Sequence, residues 1–436
     1  MTRVASVLLA LFALTVAPFA LPRTAAACGG CFAQAITGSP NIVTAHRMAV
    51  SLSATETTLW DQIQYAGDPE DFVWVLPVSA GVEVELAENA FFEALSAGTR
   101  ITLTAPLPPM PCFCSDSGFG CGSADSAPRA GVGPIPRADA GAVVVFHEGI
   151  IGPYETATIM SDDAMALVDW LQMRGYAVPD EILPTIAHYS DLGLAFAVLR
   201  LRPNAGVQQM QPVRITVAGL APTFPLRMVS AGATADLSLE LYVFAEGRTQ
   251  TMNMPTVEVD RAEVTFDWAT STFDYDARFE AAINTAGGRA WVAEYAGPLP
   301  ANVSTYQSSD PDGTIHTTRD DLAVVTRGLR GAFTMTKLRT RMPSNLLDRD
   351  LVLGAAYTDL AIGTQINVTR ELNRAEDVDC SAACGDGPSD FDGCSVNDAE
   401  HTPRNAHDRS LPLGVALVFV PLAALLRRRL RRVGRR

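Results

Sequence analysis

Two apolar segments, one at each end of the 436-residue sequence, limit what the chain between them can be. A positive charge at Arg3 precedes an apolar run over residues 4–17, and three small residues end at Ala27. A short apolar run of this kind, followed by small residues, is typical of a secretory signal. We therefore predict that residues 1–27 are a signal peptide, processed between Ala27 and Cys28.

The C-terminal segment predicts a membrane anchor. Residues 411–426 contain no charge, and residues 427–436 include seven arginines. A span of this length is just short of the ~17–25 residues that usually cross a bilayer, and arginines favour the cytoplasmic side. A buried core helix is the alternative, but the arginine cluster favours a transmembrane helix with a cytoplasmic tail. The chain is then exported and membrane-anchored, with its bulk extracytoplasmic.

The exported part is strongly acidic. The whole chain has a formal charge of −15, but nine arginines lie in the signal and the tail, which have no acidic residue. Residues 28–426 therefore carry −24. This charge disfavours nucleic acid and anionic lipid, and it suits metal cations, basic partners or simply solubility. Lys337 is the only lysine, which we interpret as a bias of base composition rather than chemistry.

All eight cysteines lie in the exported part, where disulfides are the commonest state. The disulfide candidates are Cys28, Cys31, Cys112, Cys114, Cys121, Cys380 and Cys384. The spacing of Cys28 and Cys31 also fits zinc, but no matched second pair follows. Lipidation of Cys28 is a further alternative, although Ala25 stands where a lipidation signal has a leucine-like residue. No motif predicts a cofactor.

The composition divides the rest of the chain into a folded part and a stalk. Residues 28–372 alternate strand and helix patterns and predict an exported α+β domain with mainly antiparallel β-sheets and a few packed helices. Residues 105–141 interrupt it with a Cys-, Pro- and Gly-rich excursion, and residues 373–410 form a polar, cysteine-containing stalk.

Several local patterns specify elements of the domain. Apolar alternation predicts three strands over residues 46–78, and the run "PLRMVS" at residues 225–230 is expected to be another strand. A helix follows Ser161, which we expect to cap its N-terminus. A further helix over residues 274–287 should end at two glycines, Gly287 and Gly288.

Extended motifs also resemble a known family. The stretches "ACGGCF", "IQYAGDPEDFVWVLPV", "DAMALVDWLQMRGYAVP", "FAVLRLRP", "LELYVFAEGR" and "TKLRTRMP" occur in this order. They resemble the bacterial exported family called domain of unknown function 2330, over about Cys28 to Leu372. The resemblance implies a location and a domain extent, but no reaction.

The C-terminus separately resembles a sorting signal of the MYXO-CTERM type. It has Gly393-Cys394-Ser395, an apolar span and an arginine cluster. The resemblance implies processing and display at the surface, with Cys394 as the residue modified by sorting or lipidation. Plain membrane anchoring is the alternative.

No local motif identifies a catalytic site. His147 precedes Glu148, and His188 lies near Ser190 and Asp191, but a His–carboxylate pair still needs a nucleophile from elsewhere in the fold.

Carboxylates are a second group of candidates, because calcium prefers oxygen ligands. Asp310 and Asp312 lie in one glycine-containing turn, and the stalk adds Asp386, Asp390 and Asp392. Neither stretch matches a full calcium-binding loop, so solvated turns are the main interpretation.

The main functional hypothesis is an envelope-anchored protein with a binding or structural role at the cell surface, and we lean against an enzyme. Two alternatives stay open. One is an extracytoplasmic hydrolase whose site is assembled from distant residues, and the other is a redox or metal-handling protein that uses the cysteine clusters.

Overall fold

The structure is a computed structural model. It describes residues 30–32, 42–66, 73–108, 144–174, 178, 180–202, 205–206, 209–230, 233–329 and 331–374. These residues belong to the first of two compact units, residues 1–378. The second unit, residues 379–436, and with it the predicted membrane helix, lies outside the described residues. Of the predicted stalk, only residues 373–374 are described, and residues 109–141 of the Cys-rich excursion also lie outside.

The described residues form 23 strands, numbered in chain order. They are β1 (Gly30–Phe32), β2 (Ile42–Leu52), β3 (Glu56–Ala66), β4 (Val73–Val78), β5 (Val84–Leu86), β6 (Thr102–Thr104), β7 (Val144–Ile151), β8 (Tyr154–Met160), β9 (Ala195–Leu201), β10 (Val213–Ala218), β11 (Thr223–Phe224), β12 (Ala233–Ala245), β13 (Thr249–Thr251), β14 (Thr256–Val257), β15 (Thr265–Asp267), β16 (Thr272–Phe273), β17 (Trp291–Gly297), β18 (Gln307–Ser309), β19 (Ile315–Thr317), β20 (Thr334–Pro343), β21 (Leu351–Ala355), β22 (Gln365–Asn367) and β23 (Arg370–Leu372).

In the same residues, seven α-helices connect the strands. They are α1 (Asn89–Gly98), α2 (Ala164–Met173), α3 (Leu183–Asp191), α4 (Leu226–Val229), α5 (Tyr275–Thr285), α6 (Ala301–Ser304) and α7 (Arg319–Arg327). The predicted α+β class with mainly antiparallel sheets is confirmed.

Two large sheets organise the domain. One has eight strands in the order β14-β17-β20-β12-β2-β3-β10-β5, and the other has five in the order β1-β4-β9-β8-β7. In the larger sheet β12 and β2 are parallel, as are β14 and β17, and its other neighbours are antiparallel. The smaller sheet is wholly antiparallel.

The main hydrophobic core lies between these two sheets. Alternate residues of β2 (Met48, Val50 and Leu52) face Trp74 and Leu76 of β4 in one buried cluster. All six residues of β4 are buried, as its apolar sequence predicts for a strand covered on both faces.

Helices cover the outer faces, so the domain has four layers. α2 and α3 pack on the smaller sheet. On the larger sheet, α1 and α7 share one cluster with Tyr242 and Phe244 of β12, and α5 forms another with Val292 of β17. Burying an apolar helix face against each sheet follows from the amphipathic patterns of these segments.

The α2 prediction needs one correction. Its N-cap is Asp163, which accepts a hydrogen bond from the Met165 amide at 2.8 Å, and not Ser161. Ser161 lies too far upstream, because the helix begins at Ala164, and its hydroxyl instead accepts from the Asp163 amide.

A second prediction was wrong in type. The run at residues 225–230 is not a strand, because Leu226–Val229 forms the single-turn helix α4. A short apolar run gives too few residues to separate the strand period from the helical one. The end of α5, by contrast, is confirmed: Gly287 and Gly288 have φ of 88° and 77°, a region that favours glycine.

Candidate functional site

A polar cleft of about 610 Å3 lies where four segments that are far apart in the sequence converge. One wall contains Glu88, Asn89 and Glu93 at the start of α1, with Ser308, Asp310 and His316 of the β18–β19 hairpin. The other contains Gly152, Pro153, Arg202, Ala205, Gln209 and Gln211, from the β7–β8 turn and the β9–β10 connection. The lining is mostly polar, with charges of both signs.

An imidazole holds the first wall together. His316 Nδ1 lies 2.8 Å from Glu88 Oε2, and His316 Nε2 lies 2.9 Å from Asp310 Oδ2. Ionised carboxylates only accept hydrogen bonds, so the ring can donate to both of them only in its protonated form. The hydrogen bonds from the ring to Asp310 and Glu88 raise the pKa of His316 above its usual value. We call this group of three residues the His316 clasp.

The turn of the hairpin follows from its sequence. Gly313 adopts a φ of 88°, and Asp312 accepts a hydrogen bond from the Thr314 amide at 3.0 Å. Asp and Gly favour such tight turns because Asp can bond its own backbone and Gly tolerates positive φ. The turn places Asp310 and His316 on the same side as α1.

A buried carboxylate fixes the start of α1. Asp321 Oδ1 accepts from Trp60 Nε1 at 2.8 Å and from Arg214 at 2.9 Å. Its other oxygen accepts from the Glu88 amide at 3.1 Å, so a side chain of α7 satisfies a free amide at the N-terminus of α1. Burial raises the pKa of Asp321, and these hydrogen bonds partly oppose it.

The second wall is held by main-chain and tyrosine contacts. Gly152 has a φ of 49° and begins the two-residue turn between β7 and β8. The Arg202 amide donates to Pro153 O at 2.9 Å. The buried Tyr154 hydroxyl donates to Gln211 O at 2.7 Å and accepts from the Gln211 amide at 2.9 Å. These contacts place Arg202 and Gln211 against the β7–β8 turn.

The cleft has two charged groups outside the clasp. Glu93 accepts a hydrogen bond from the Tyr306 hydroxyl at 3.1 Å, a neutral donor. Arg202 is exposed and also lines the cleft. Neither residue forms an ion pair within the described part of the chain.

The cleft is suited to hold a polar molecule, whereas its histidine is poorly placed to act as a base. Ser308 and His316 are opposite one another across the hairpin. A base must accept a proton from a hydroxyl, but carboxylate oxygens of Glu88 and Asp310 already lie 2.8 and 2.9 Å from the two ring nitrogens of His316.

The histidines singled out in the sequence lie elsewhere. His147 and Glu148 are exposed on the edge strand β7. His188 Nε2 lies 3.9 Å from Asp350 Oδ2, while Asp191 is exposed. Neither histidine lines the cleft.

The predicted carboxylate groups are only partly described. Asp310 belongs to the clasp and Asp312 to the hairpin turn, while Asp386, Asp390 and Asp392 lie outside the described residues. Within the described ranges, no group of three or more His, Cys, Asp or Glu side chains could hold a metal ion.

Almost all of the predicted cysteine sites are outside the described part of the chain. Cys31 lies on β1, opposite Trp74 of β4. The positions outside are Ala27, Cys28, Cys112, Cys114, Cys121, Cys380, Cys384 and Cys394. The disulfide, processing and sorting assignments therefore stay predictions.

A second polar cluster surrounds the only lysine. Lys337 Nζ lies 3.2 Å from Glu294 Oε2 and 3.7 Å from Glu240 Oε1. Glu294 also binds Arg339 at 2.7 Å and accepts from the Tyr275 hydroxyl at 3.1 Å. Lys337 and Glu294 are 7% and 2% exposed, so the lysine belongs to a buried ion-pair network on β17 and β20.

Sequence reasoning missed both clusters. Glu88 and His316 are separated by 228 positions, and no local pattern connects them. The turn sequence around Asp310 was the only available signal, and it suggested a cation ligand rather than a partner for histidine.

No helix in the described ranges has the length and apolar character to cross a membrane.

Comparison with known proteins identifies one family. A family model described as "Uncharacterized protein conserved in bacteria (DUF2330)" matches residues 22–307. The match confirms the family resemblance, although it ends before the expected limit at Leu372. It includes Glu88, Glu93 and Arg202, while Asp310 and His316 lie just beyond it. No curated protein and no solved structure matches the chain.

Proposed function

Since the chain belongs to the DUF2330 family of bacterial proteins, whose description names no activity, we propose its function from its own geometry. It is an extracytoplasmic protein of the cell envelope that binds a small polar ligand in the cleft. The observation that carries this proposal is the cleft of about 610 Å3, which both an acidic residue, Glu93, and a basic residue, Arg202, line. Sites for small ligands commonly enclose about 300–1,000 Å3 and contain a few placed polar groups.

Binding fits this geometry better than hydrolysis. A hydrolase of the Ser–His type needs a hydroxyl bonded to an imidazole that can take its proton. Within the described ranges, no hydroxyl forms a hydrogen bond with a histidine ring nitrogen. The clasp instead uses His316 to hold one wall of the cleft in place.

Obstruction of the cleft tests the proposal. Gln209 is exposed and lines the cleft, so Gln209→Trp should block it without disturbing the core. Calorimetric titration of the full-length protein with polar amines, acids, short peptides and polyols should find a ligand that Gln209→Trp no longer binds. Gln365→Trp, an exposed position on β22 away from the cleft, is the control and should bind normally. Equal binding by both variants would place the ligand elsewhere.

The envelope location rests on the two ends of the sequence. We propose that residues 1–27 direct export, that residues 411–426 anchor the chain until sorting acts at Cys394, and that residues 427–436 are cytoplasmic in the anchored chain. A short apolar run before small residues supports the first, and uncharged residues followed by arginines support the second. Fractionation of cells that express the full chain should recover it from membranes. Recovery in a soluble fraction with residues 411–436 still present would contradict the anchor.

Cys394 is the proposed site of sorting. The Gly393-Cys394-Ser395 motif, the apolar span and the arginine cluster support this assignment. Mass spectrometry of the mature protein should show a modified or new C-terminus at Cys394 and a new N-terminus at Cys28. The same digest gives the pairing of the remaining cysteines. An unmodified Cys394 in a chain that ends at Arg436 would leave plain membrane anchoring.

A further inference from the structure

The charges that line the cleft indicate what kind of ligand it takes. Five charged side chains line it, and three of them pair with one another within the His316 clasp. The two that are left, Glu93 and Arg202, have opposite signs and come from different elements, α1 and the β9–β10 connection. A ligand that satisfies both must carry a positive and a negative group.

The uncharged lining indicates what the rest of the ligand is made of. The side chains of Gln209 and Gln211 line the cleft, and each offers an amide that can both donate and accept. Ser308 adds a hydroxyl on the first wall. Groups of this kind pair with the amides of a peptide backbone, which also donate and accept.

Other ligand classes fit this lining poorly. No Phe, Tyr or Trp is among the described residues that line the cleft, so the His316 ring is the one aromatic group there on which a base could stack. Only Ala205 and Pro153 present apolar side chains, too few to bury an acyl chain.

Charge at longer range points the same way. Residues 28–426 carry a formal −24, which repels polyanions. A ligand of zero net charge avoids this repulsion.

From these observations, and resting on the proposed function, we infer that the ligand is a short peptide with free termini. Its ammonium group would bind Glu93 and its carboxylate would bind Arg202. The volume of about 610 Å3 lies within the range of small-ligand sites, so the peptide is limited to a few residues.

Titration with trialanine tests this assignment. The full-length protein should bind trialanine, and N-acetylation or C-amidation should each weaken binding about ten-fold, the usual effect of losing one charge-assisted hydrogen bond. Glu93→Gln should weaken binding of trialanine and abolish the penalty for N-acetylation. Arg202→Gln should likewise weaken binding of trialanine and abolish the penalty for C-amidation. Glu83→Gln and Arg100→Gln, at exposed positions outside the cleft, are the matched controls and should change neither.

The outcomes separate the ligand class from the proposed function. If trialanine binds with no dependence on its termini or on Glu93 and Arg202, the inference is wrong. The inference is also wrong if trialanine does not bind but another polar probe binds and Gln209→Trp blocks that binding. In that case the proposed binding function is still supported. If no probe in the panel binds to the folded protein, both the ligand class and the proposed function are overturned.

Discussion

His46 Nε2 lies 3.4 Å from Asp61 Oδ1 in the core between the two large sheets, and both side chains are 1% exposed. Burial removes the imidazole from water and lowers the pKa of His46 to about 3, although a carboxyl group lies beside it. The ring is therefore neutral in the folded protein at any pH near neutrality.

This pair predicts sensitivity to acid. A histidine in the unfolded chain has a pKa of about 6.5, so below that pH the unfolded state binds a proton that folded His46 does not. Its contribution to the free energy of unfolding falls between pH 6.5 and about 3. At pH 5 the loss should be about 2 kcal/mol, at 1.36 kcal/mol per pKa unit. Urea titrations at pH 7, 6, 5 and 4 measure it.

The His46→Gln variant isolates this proton from those of the carboxylates. Its unfolding free energy should depend less steeply on pH than that of the wild type over this range. His147→Gln removes an exposed histidine and should keep the wild-type slope. Identical slopes for all three proteins would show that His46 is not the group responsible.

A second prediction concerns Asp321, the carboxylate below the start of α1. Asp321→Ala removes the acceptor of Trp60 and leaves Arg214 without its buried partner. We expect a loss of about 3 kcal/mol in the free energy of unfolding. Asp320→Ala is the matched control, because Asp320 lies in the same first turn of α7 but is exposed. It should change stability by less than about 0.5 kcal/mol. Similar urea midpoints for the two variants would contradict a structural role for Asp321.

Local patterns predicted much of the fold. The alternation of Met48, Val50 and Leu52 gave β2 correctly, and two glycines gave the end of α5. These signals depend only on residues that are close together in the sequence. The apolar period of a strand extends over a few neighbours, and the end of a helix depends on the φ of one or two glycines. The errors arose where such signals are weakest, at the single turn Leu226–Val229 and at the exact start of α2.

The candidate site could not be predicted in the same way. Its charged residues come from α1, the β9–β10 connection and the β18–β19 hairpin, so only tertiary packing brings Glu93, Arg202 and His316 together. The interpretation of Lys337 had the same weakness. A count of one lysine is a property of composition, whereas its place between Glu240 and Glu294 depends on strand pairing across β12, β20 and β17.

The His316 clasp predicts a response to rising pH. Because its carboxylate partners raise the pKa of His316, its stabilising effect is fully present below the unfolded value of about 6.5 and disappears as pH rises through the folded value. A double-mutant cycle of His316→Gln and Glu88→Gln measures the coupling between the two side chains in the free energy of unfolding. The coupling should be about 0.5 kcal/mol at pH 6, because Glu88 is partly exposed, and about zero at pH 9.

A matched cycle controls for general effects of charge. Glu83 is also acidic and exposed, so Glu83→Gln with His316→Gln should show no coupling at either pH. A coupling between His316 and Glu88 that persists unchanged at pH 9 would mean that the charged ring is not what joins them.

The last prediction uses the fact that Lys337 is the only lysine of the chain. Its side chain is 7% exposed and its Nζ lies 3.2 Å from Glu294 Oε2, so the amine has little access to an amine-reactive ester. We expect folded protein to be acylated only at its N-terminal amine, and unfolded protein to be acylated at both positions. Peptide mass spectrometry after a timed pulse gives the extents of acylation at Lys337 and at the N-terminal amine separately, and the N-terminal amine reports reagent activity in each sample.

In Glu294→Gln the ammonium group keeps only the more distant Glu240, so Lys337 should react faster than in the wild type while the N-terminal rate is unchanged. Acylation of Lys337 in the folded wild type at the rate of the N-terminal amine would contradict its burial in the network.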